Sequence, residues 1–356
     1  MSAAAHLARL GAAGRPAGSA AADAARAYCA AILADSGFLI LEQTFEYSKA
    51  AGAWATPAAG LAAGLIATAF ALSRVPRREP HWGALALGVL LVVGIAFAHL
   101  GRRGVLGFPL MRRRGVNLQA TRDGDDPKIW LVAHLDSKWQ PVSMIARVAG
   151  VSIAALGLAT LVVVGALNAT APLWIPLALT WLGAIPLILS TVGARNAGAL
   201  DNASGVAAVL GAAELIPRDA NVGILITDAE ELALAGARAW ALCRTPACAI
   251  NCASVDDDGE LVLMYTRSRP RLLISRCADA ALATCGRTPR VSRLIPGILT
   301  DSVALADAGW EAVTLSRGNL RTLQRIHTSR DTLSELRGTA LATVAAILAR
   351  VATELA

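Results

Sequence analysis

IWLVAHLDSK, residues 129–138, opens with five consecutive apolar residues and then presents His134 and Asp136. An unbroken apolar run of this length, closed by polar residues, reads as a buried strand. Residues i and i+2 of a strand point to the same side, so the imidazole and the carboxylate emerge together at its end. The chain holds only five histidines, which makes the pairing informative.

Outward from this strand the same plan recurs. NVGILITDAEE (221–231) and ACAINCASVDDDG (247–259) are again apolar runs that end in carboxylates. FLILEQTFEY (38–47), GVNLQATR (115–122) and EAVTLSRG (311–318) supply further strands. Helical stretches lie between them: Ala-rich residues 20–34, and ALDNASGVAAVLGAAELI (199–216), with Asp201 and Asn202 in a favourable capping region. TLSE (332–335) has the form of a capping box opening a last helix. Strands alternating with helices predict an α/β domain, whose ligand site gathers beyond the carboxyl ends of the strands.

Only 17% of the 356 residues are charged and 55% are hydrophobic, against about 25% charged in soluble domains. No charged residue lies between Lys49 and Arg74, between His81 and Arg102, or between Arg147 and Arg195. A helix needs about 20 apolar residues to cross a bilayer core. The first two windows each hold one such helix; the third holds two, parted by NATAP (168–172). Four spans are therefore expected, near residues 55–74, 82–101, 148–167 and 172–192. The plainer alternative, buried core helices of a soluble protein, suits such long uncharged runs poorly. The resulting plan is a domain made of residues 1–53, 103–145 and 194–356, interrupted by transmembrane hairpins at 54–102 and 146–193. His134 and Asp201 can then share a site only if two helices, not one, separate them.

The net charge of +7 gathers beside the spans, as in GRRGVLGFPLMRRRG (101–115). That distribution suits phospholipid headgroups and speaks against a nucleic-acid partner. Basic residues are more numerous on the domain side of the spans than in the loops, which predicts a cytoplasmic domain. Residues 1–48 contain no compact apolar core of a cleavable signal. Six cysteines without a Cys-x-x-Cys pair read as buried thiols; Cys243 with Cys248, or Cys277 with Cys285, would pair only in an oxidising compartment. Nothing in the sequence sets an oligomeric state.

The polar residues at the strand ends are His134, Asp136, Asp201, Glu230, Glu231, the run Asp256 to Asp258, and His327 in RIHTSRDTLSEL. Two imidazoles and several carboxylates make a nitrogen and oxygen donor set suited to zinc or a related first-row metal. Two metals about 3.5 Å apart need a bridging carboxylate, and one further carboxylate must stay free to take a proton from water. Adjacent glutamates can divide that labour. Asp136 can receive the ring N–H of His134 and fix its tautomer. Singly, each residue has a plainer reading: a core histidine, a helix cap, a solvated helix start. His6, His81 and His99 lack such company and read as structural.

The ordered motifs AHLDSK, LDNASGV, TDAEELALAGARAW, VDDDG and IHTSRDT resemble those of the co-catalytic di-zinc aminopeptidase family, which includes glutaminyl cyclases and glutamate-carboxypeptidase-like proteins. RPAGSAAADAARAY and LTDSVALADAGWEAVTLSRG extend the resemblance over nearly all residues outside the spans. It implies a zinc-exopeptidase-like α/β fold, a central mixed β-sheet flanked by helices. It also implies Asp201 as bridging ligand, His134 and Asp256 completing one zinc site, and Glu231 with His327 completing the other. Asp257 remains an alternative to Asp256. Glu230 would be the general base, Asp301 would lie near the substrate, and the substrate would be a peptide. HLDSK resembles the cyclase branch too, where one zinc would suffice. The expected activity is thus an aminopeptidase with two zinc ions, with a one-zinc cyclase or an inactive membrane scaffold as rivals.

Overall fold

A computed structural model describes residues 1–73, 105–122, 126–166, 172–295 and 297–356. Its strands are β1 (Leu39–Ser48), β2 (Arg112–Thr121), β3 (Ile129–His134), β4 (Val222–Thr227), β5 (Cys248–Val255), β6 (Glu260–Tyr265), β7 (Arg290–Arg293) and β8 (Glu311–Gly318). They form one sheet in the order β1-β2-β4-β3-β5-β8-β6-β7. The inner strands β4, β3, β5 and β8 run parallel, and β1, β2 and β6 join antiparallel, so the sheet is mixed as expected.

Every residue of β3 and β4 is buried, which explains their unbroken apolar runs. Alternate side chains of β3 enter different layers. Ile129, Leu131 and Ala133 join the core beneath the helices Ser204–Leu215 and Leu341–Leu355. Trp130 and Val132 enter a second cluster with Trp240 and Trp310. There Trp130 meets Trp240 edge-on with ring centroids 4.7 Å apart, a favourable quadrupole geometry. Covered on both faces, β3 delivers its terminal His134 to a fixed place.

Two of the expected spans coincide with long apolar helices, Lys49–Ser73 and Met144–Ala166. Span 82–101 lies outside the described residues. Span 172–192 is a correction: its helix, Trp174–Ile188, has 15 residues, about 22 Å at 1.5 Å per residue and short of a bilayer core of roughly 30 Å. Among the described residues, two helices rather than four are long and apolar enough to cross a membrane. The helices Met144–Ala166 and Trp174–Ile188 leave and rejoin the domain at one point. There Trp139 and Gly193 exchange backbone hydrogen bonds of 3.0 and 2.8 Å. Between His134 and Asp201 the described residues thus hold one helix of membrane-spanning length and one shorter apolar helix, not the expected pair of spans. Their backbones approach closely: a Cβ added to Gly183 would lie 2.3 Å from the Ala154 nitrogen. Helix Lys49–Ser73 joins them through Trp181, whose Nε1 donates to Thr68 Oγ1 at 3.0 Å. Leu65, Leu156 and Leu182 are 55%, 60% and 59% exposed, so among the described residues these helices keep large apolar side chains on the surface.

A second correction concerns TLSE. Leu333–Glu335 makes a single tight turn, the Thr332 side chain caps nothing, and the last helix starts at Leu341. Asp257 organises the approach instead, accepting from the backbone amides of Arg337 and Thr339. All six cysteines are free; Cys29, Cys252 and Cys277 are buried, whereas Cys243 and Cys285 are exposed.

Candidate metal centre

Asp201 lies in the turn Ala199–Ala203, beyond the carboxyl edge of the parallel strands. Two side chains hold this turn. Asp331 accepts from the backbone amides of Leu200 and Asp201 at 2.6 and 3.2 Å. Asn202 donates to the Cys252 carbonyl at 3.0 Å, and its Oδ1 accepts from Gly205 and Ser254, both at 3.1 Å. The turn begins at Gly198, where φ is +60° and a Cβ would lie 2.4 Å from that of Ser137, so only glycine fits.

The two histidines arrive on either side of Asp201. His134 Nε2 stands 3.2 Å from Asp201 Oδ1, and His327 Nε2 stands 3.1 Å from Asp201 Oδ2. His327 Nε2 is also 3.0 Å from Glu231 Oε1. Ligand atoms of Asp201, Glu231 and His327 all lie within 4.8 Å of one another. Three residues beside these groups have left-handed backbones, Ala229 (φ 56°), Ser254 (57°) and His327 (66°). Such conformations cost roughly 1–2 kcal/mol each for an L-residue and persist where surrounding contacts fix them.

Asp136 acts differently from the expectation. His134 Nδ1 faces its backbone carbonyl at 3.1 Å, while the nearer carboxylate oxygen is 3.6 Å away, too far for a good hydrogen bond. The carboxylate is engaged elsewhere: Oδ1 and Oδ2 accept the backbone N–H groups of Glu230 and Glu231 at 3.0 and 3.1 Å. Asp136 therefore sets the main chain of the paired glutamates, and its carbonyl sets the imidazole.

Asp256 and Asp301 stand outside the tight group. Asp256 Oδ2 accepts from Thr322 Oγ1 at 2.8 Å, and Arg325 Nη1 lies 3.2 Å from its Oδ1. Asp301, fully buried, accepts from Thr227 Oγ1 at 2.6 Å. Four contributors went unread in the sequence. Lys138 Nζ lies 2.6 Å from Glu231 Oε2. Asp331 and Arg325 hold their carboxylate and amide partners as described. Arg15, buried, donates to the carbonyls of Leu135, Ala197 and Gly198 at 2.9 Å each, and also to those of Leu10 and Ala13. It thereby pins the loop after β3 to the loop before Asp201. All four lie within the resembling motifs or one residue from them, which was the available signal.

The electrostatics follow from burial and charge. Burial, then the charges of Glu231, Asp301 and Asp136, push Glu230 well above the usual carboxylate range. Glu231 is held down at about 2 despite burial, by His327 and Lys138. Asp201 is likewise held low against burial by the two imidazoles, and His134 is held high against burial by Glu230, Asp136 and Asp201. Burial raises Asp331 and Asp228 to about 7 and Asp301 to about 6.

These groups fit a zinc ion. If His134 Nδ1 donates to the Asp136 carbonyl, its Nε2 turns a lone pair toward Asp201. His327 Nε2 faces two carboxylate oxygens at once, and Glu231 Oε1 is buried without a hydrogen-bond partner. A cation between them satisfies every such atom. Tetrahedral ligation at about 2.0–2.2 Å would set donor atoms roughly 3.3–3.5 Å apart, within a few tenths of the contacts above. Beside the group opens a cavity of about 790 Å³, lined by His134, Lys138, Arg147, Asp201, Glu230, Glu231 and His327 among others.

A family profile described as Peptidase family M28 matches residues 117–352. No curated protein sequence matches the chain. Among solved structures, it is similar to the aminopeptidase from Aneurinibacillus sp. strain AM-1, with a TM-score of 0.59 and 14% identity over 99% of this chain and 93% of that one. It is similar to the Porphyromonas gingivalis glutaminyl cyclase, with a TM-score of 0.58 and 16% identity over 100% and 98%. A Zn-dependent exopeptidase from Parabacteroides distasonis ATCC 8503 gives 0.58 and 14% over 99% and 97%. At these identities the likeness establishes the fold.

Proposed function

This chain belongs to peptidase family M28, and from that premise we propose that it is a membrane-associated, zinc-dependent aminopeptidase. The observation that supports this most is the meeting of His134, Glu231 and His327 around Asp201, with Glu230 adjoining on the cavity wall. Asp201, Glu231, His327 and His134 would hold zinc. Bound zinc supplies Lewis-acid polarisation of the scissile carbonyl. Glu230 takes a proton from the attacking water as its oxygen bonds to the carbonyl carbon. It then passes that proton to the leaving nitrogen as the C–N bond breaks. Asp136 keeps Glu230 and Glu231 in register through their amides. Two long apolar helices, which among the described residues expose large apolar side chains, anchor the domain in lipid.

Glu230→Gln removes the base while leaving the donor set intact. Turnover of an aminoacyl anilide by the purified protein is expected to fall about 10²–10⁴-fold, with zinc content unchanged. Undiminished turnover would refute Glu230 as the base.

One observation favours a second reading. Asp256, needed for a second zinc, is engaged by Arg325 and Thr322, and the Lys138 ammonium lies against Glu231. A site with one zinc, held by Asp201, Glu231 and His327, would suit cyclisation of N-terminal glutamine. Asp256→Asn separates the readings. Loss of one of two zinc ions per chain supports hydrolysis. A single zinc unaffected by the change, with pyroglutamyl product from a glutaminyl peptide, supports cyclisation.

A further inference from the structure

The cavity has two unlike ends. At one stand His134, Glu230 and His327; at the other stand Ala55 and Ala59 of the helix Lys49–Ser73, Val151 of Met144–Ala166, and Leu187. Ala51 and Ala59 both line it, and eight residues at 1.5 Å rise place the cavity along about 12 Å of that helix. The cavity therefore continues from the metal centre into the first turns of the apolar helices. The lining also includes Ile295, Leu299 and Leu320, large apolar side chains that are exposed, beside the charged Glu260 and Arg290. A rim built to receive soluble, polar peptides would not be expected to place three large apolar side chains there; one lying against lipid would. Among the described residues the same helices also expose Leu61, Leu65, Leu72, Leu156 and Val163, so the elements that line the cavity carry apolar surface as well.

We propose that the site takes its substrate from the membrane side: a polypeptide whose free amino terminus reaches Glu230 while the apolar residues that follow lie against Ala55, Ala59 and Val151. This rests on the exopeptidase reading and adds the substrate class. The volume of about 790 Å³ exceeds what one side chain fills and sits within the roughly 300–1,000 Å³ of sites that enclose extended ligands. The catalytic end is polar, and the helical end is apolar apart from Thr56 and Arg147, which suits an amine-terminated chain whose following residues are apolar. Binding the downstream residues acts equally on ground and transition states, so the preference is expected in KM rather than kcat.

The test uses the full chain in phosphatidylcholine–phosphatidylglycerol nanodiscs, loaded with zinc. Two peptides share their first four residues and continue into either an apolar stretch of about 20 residues or a Gly/Ser stretch of equal length. The expected result is a kcat/KM at least about tenfold higher for the apolar peptide, carried by KM, and a ratio that Val151→Trp brings toward unity. Equal turnover of the two peptides would overturn the inference and leave the activity standing. A second readout needs no turnover: the apolar peptide with a diazirine at its third residue is photolysed on the protein. Adducts within residues 55–59 or 147–151 uphold the route even if neither peptide is cleaved, in which case the hydrolytic reading alone fails. Adducts confined to other surfaces overturn the route.

Discussion

Arg15 shows how much of the site depends on side chains that touch no substrate. Its guanidinium is buried, burial lowers it to about 10, and it donates to carbonyls on both sides of the metal centre. Charge-assisted hydrogen bonds of this kind contribute about 1.5–3 kcal/mol each. Arg15→Met leaves several buried carbonyls without a donor, and a destabilisation on the order of 3 kcal/mol is expected, read as a lowered denaturation midpoint. An unchanged midpoint would show that the two loops hold without it. At this scale the sequence reveals residues whose type announces chemistry: His134, Asp201, Glu231 and His327 meet, and Glu230 lines the adjoining cavity. It does not reveal Arg15 or Asp331, because the partners that tie them to the site are backbone groups more than a hundred residues away. Nor does it show that the Asp136 carboxylate prefers two amides to an imidazole, since that choice depends on where β4 ends.

Among elements, the buried strands were the most legible. β3 and β4 carry uninterrupted apolar runs because both faces are covered. β7 has four residues, none of them buried, and so no periodic signal; the final helix starts late because Asp257, not Thr332, organises its approach. The amino-terminal helix Ala3–Leu10 carries a testable consequence. His6 is buried there, its Nδ1 2.7 Å from Tyr28 Oη and its Nε2 3.4 Å from Glu214. Burial lowers its pKa, against the pull of Glu214 and with the amino-terminal charge. A base with a lowered folded pKa binds more protons when unfolded, so its share of stability is present above about 6.5 and is lost as pH falls below that value. His6→Gln is expected to flatten the decline in thermal midpoint between about pH 7 and 5. An equally steep decline in the variant would assign the acid sensitivity elsewhere.

The described residues form a mixed-sheet domain with long apolar helices rooted beside the edge that holds the candidate metal-binding group. Sequence composition made the apolar windows obvious, but not that Trp174–Ile188 is too short to span, because helix length depends on where packing and caps stop it. Segments spread between His134 and His327 converge on Asp201, and the proposed function requires that they bind zinc there. Zinc quantified by mass spectrometry on the purified full chain and on Asp201→Ala tests it most directly. At least one tightly held zinc per chain is expected in the first and its loss in the second, with unchanged far-ultraviolet circular dichroism. A wild-type chain that binds no zinc at saturation, or an Asp201→Ala chain that keeps its full complement, would contradict the account.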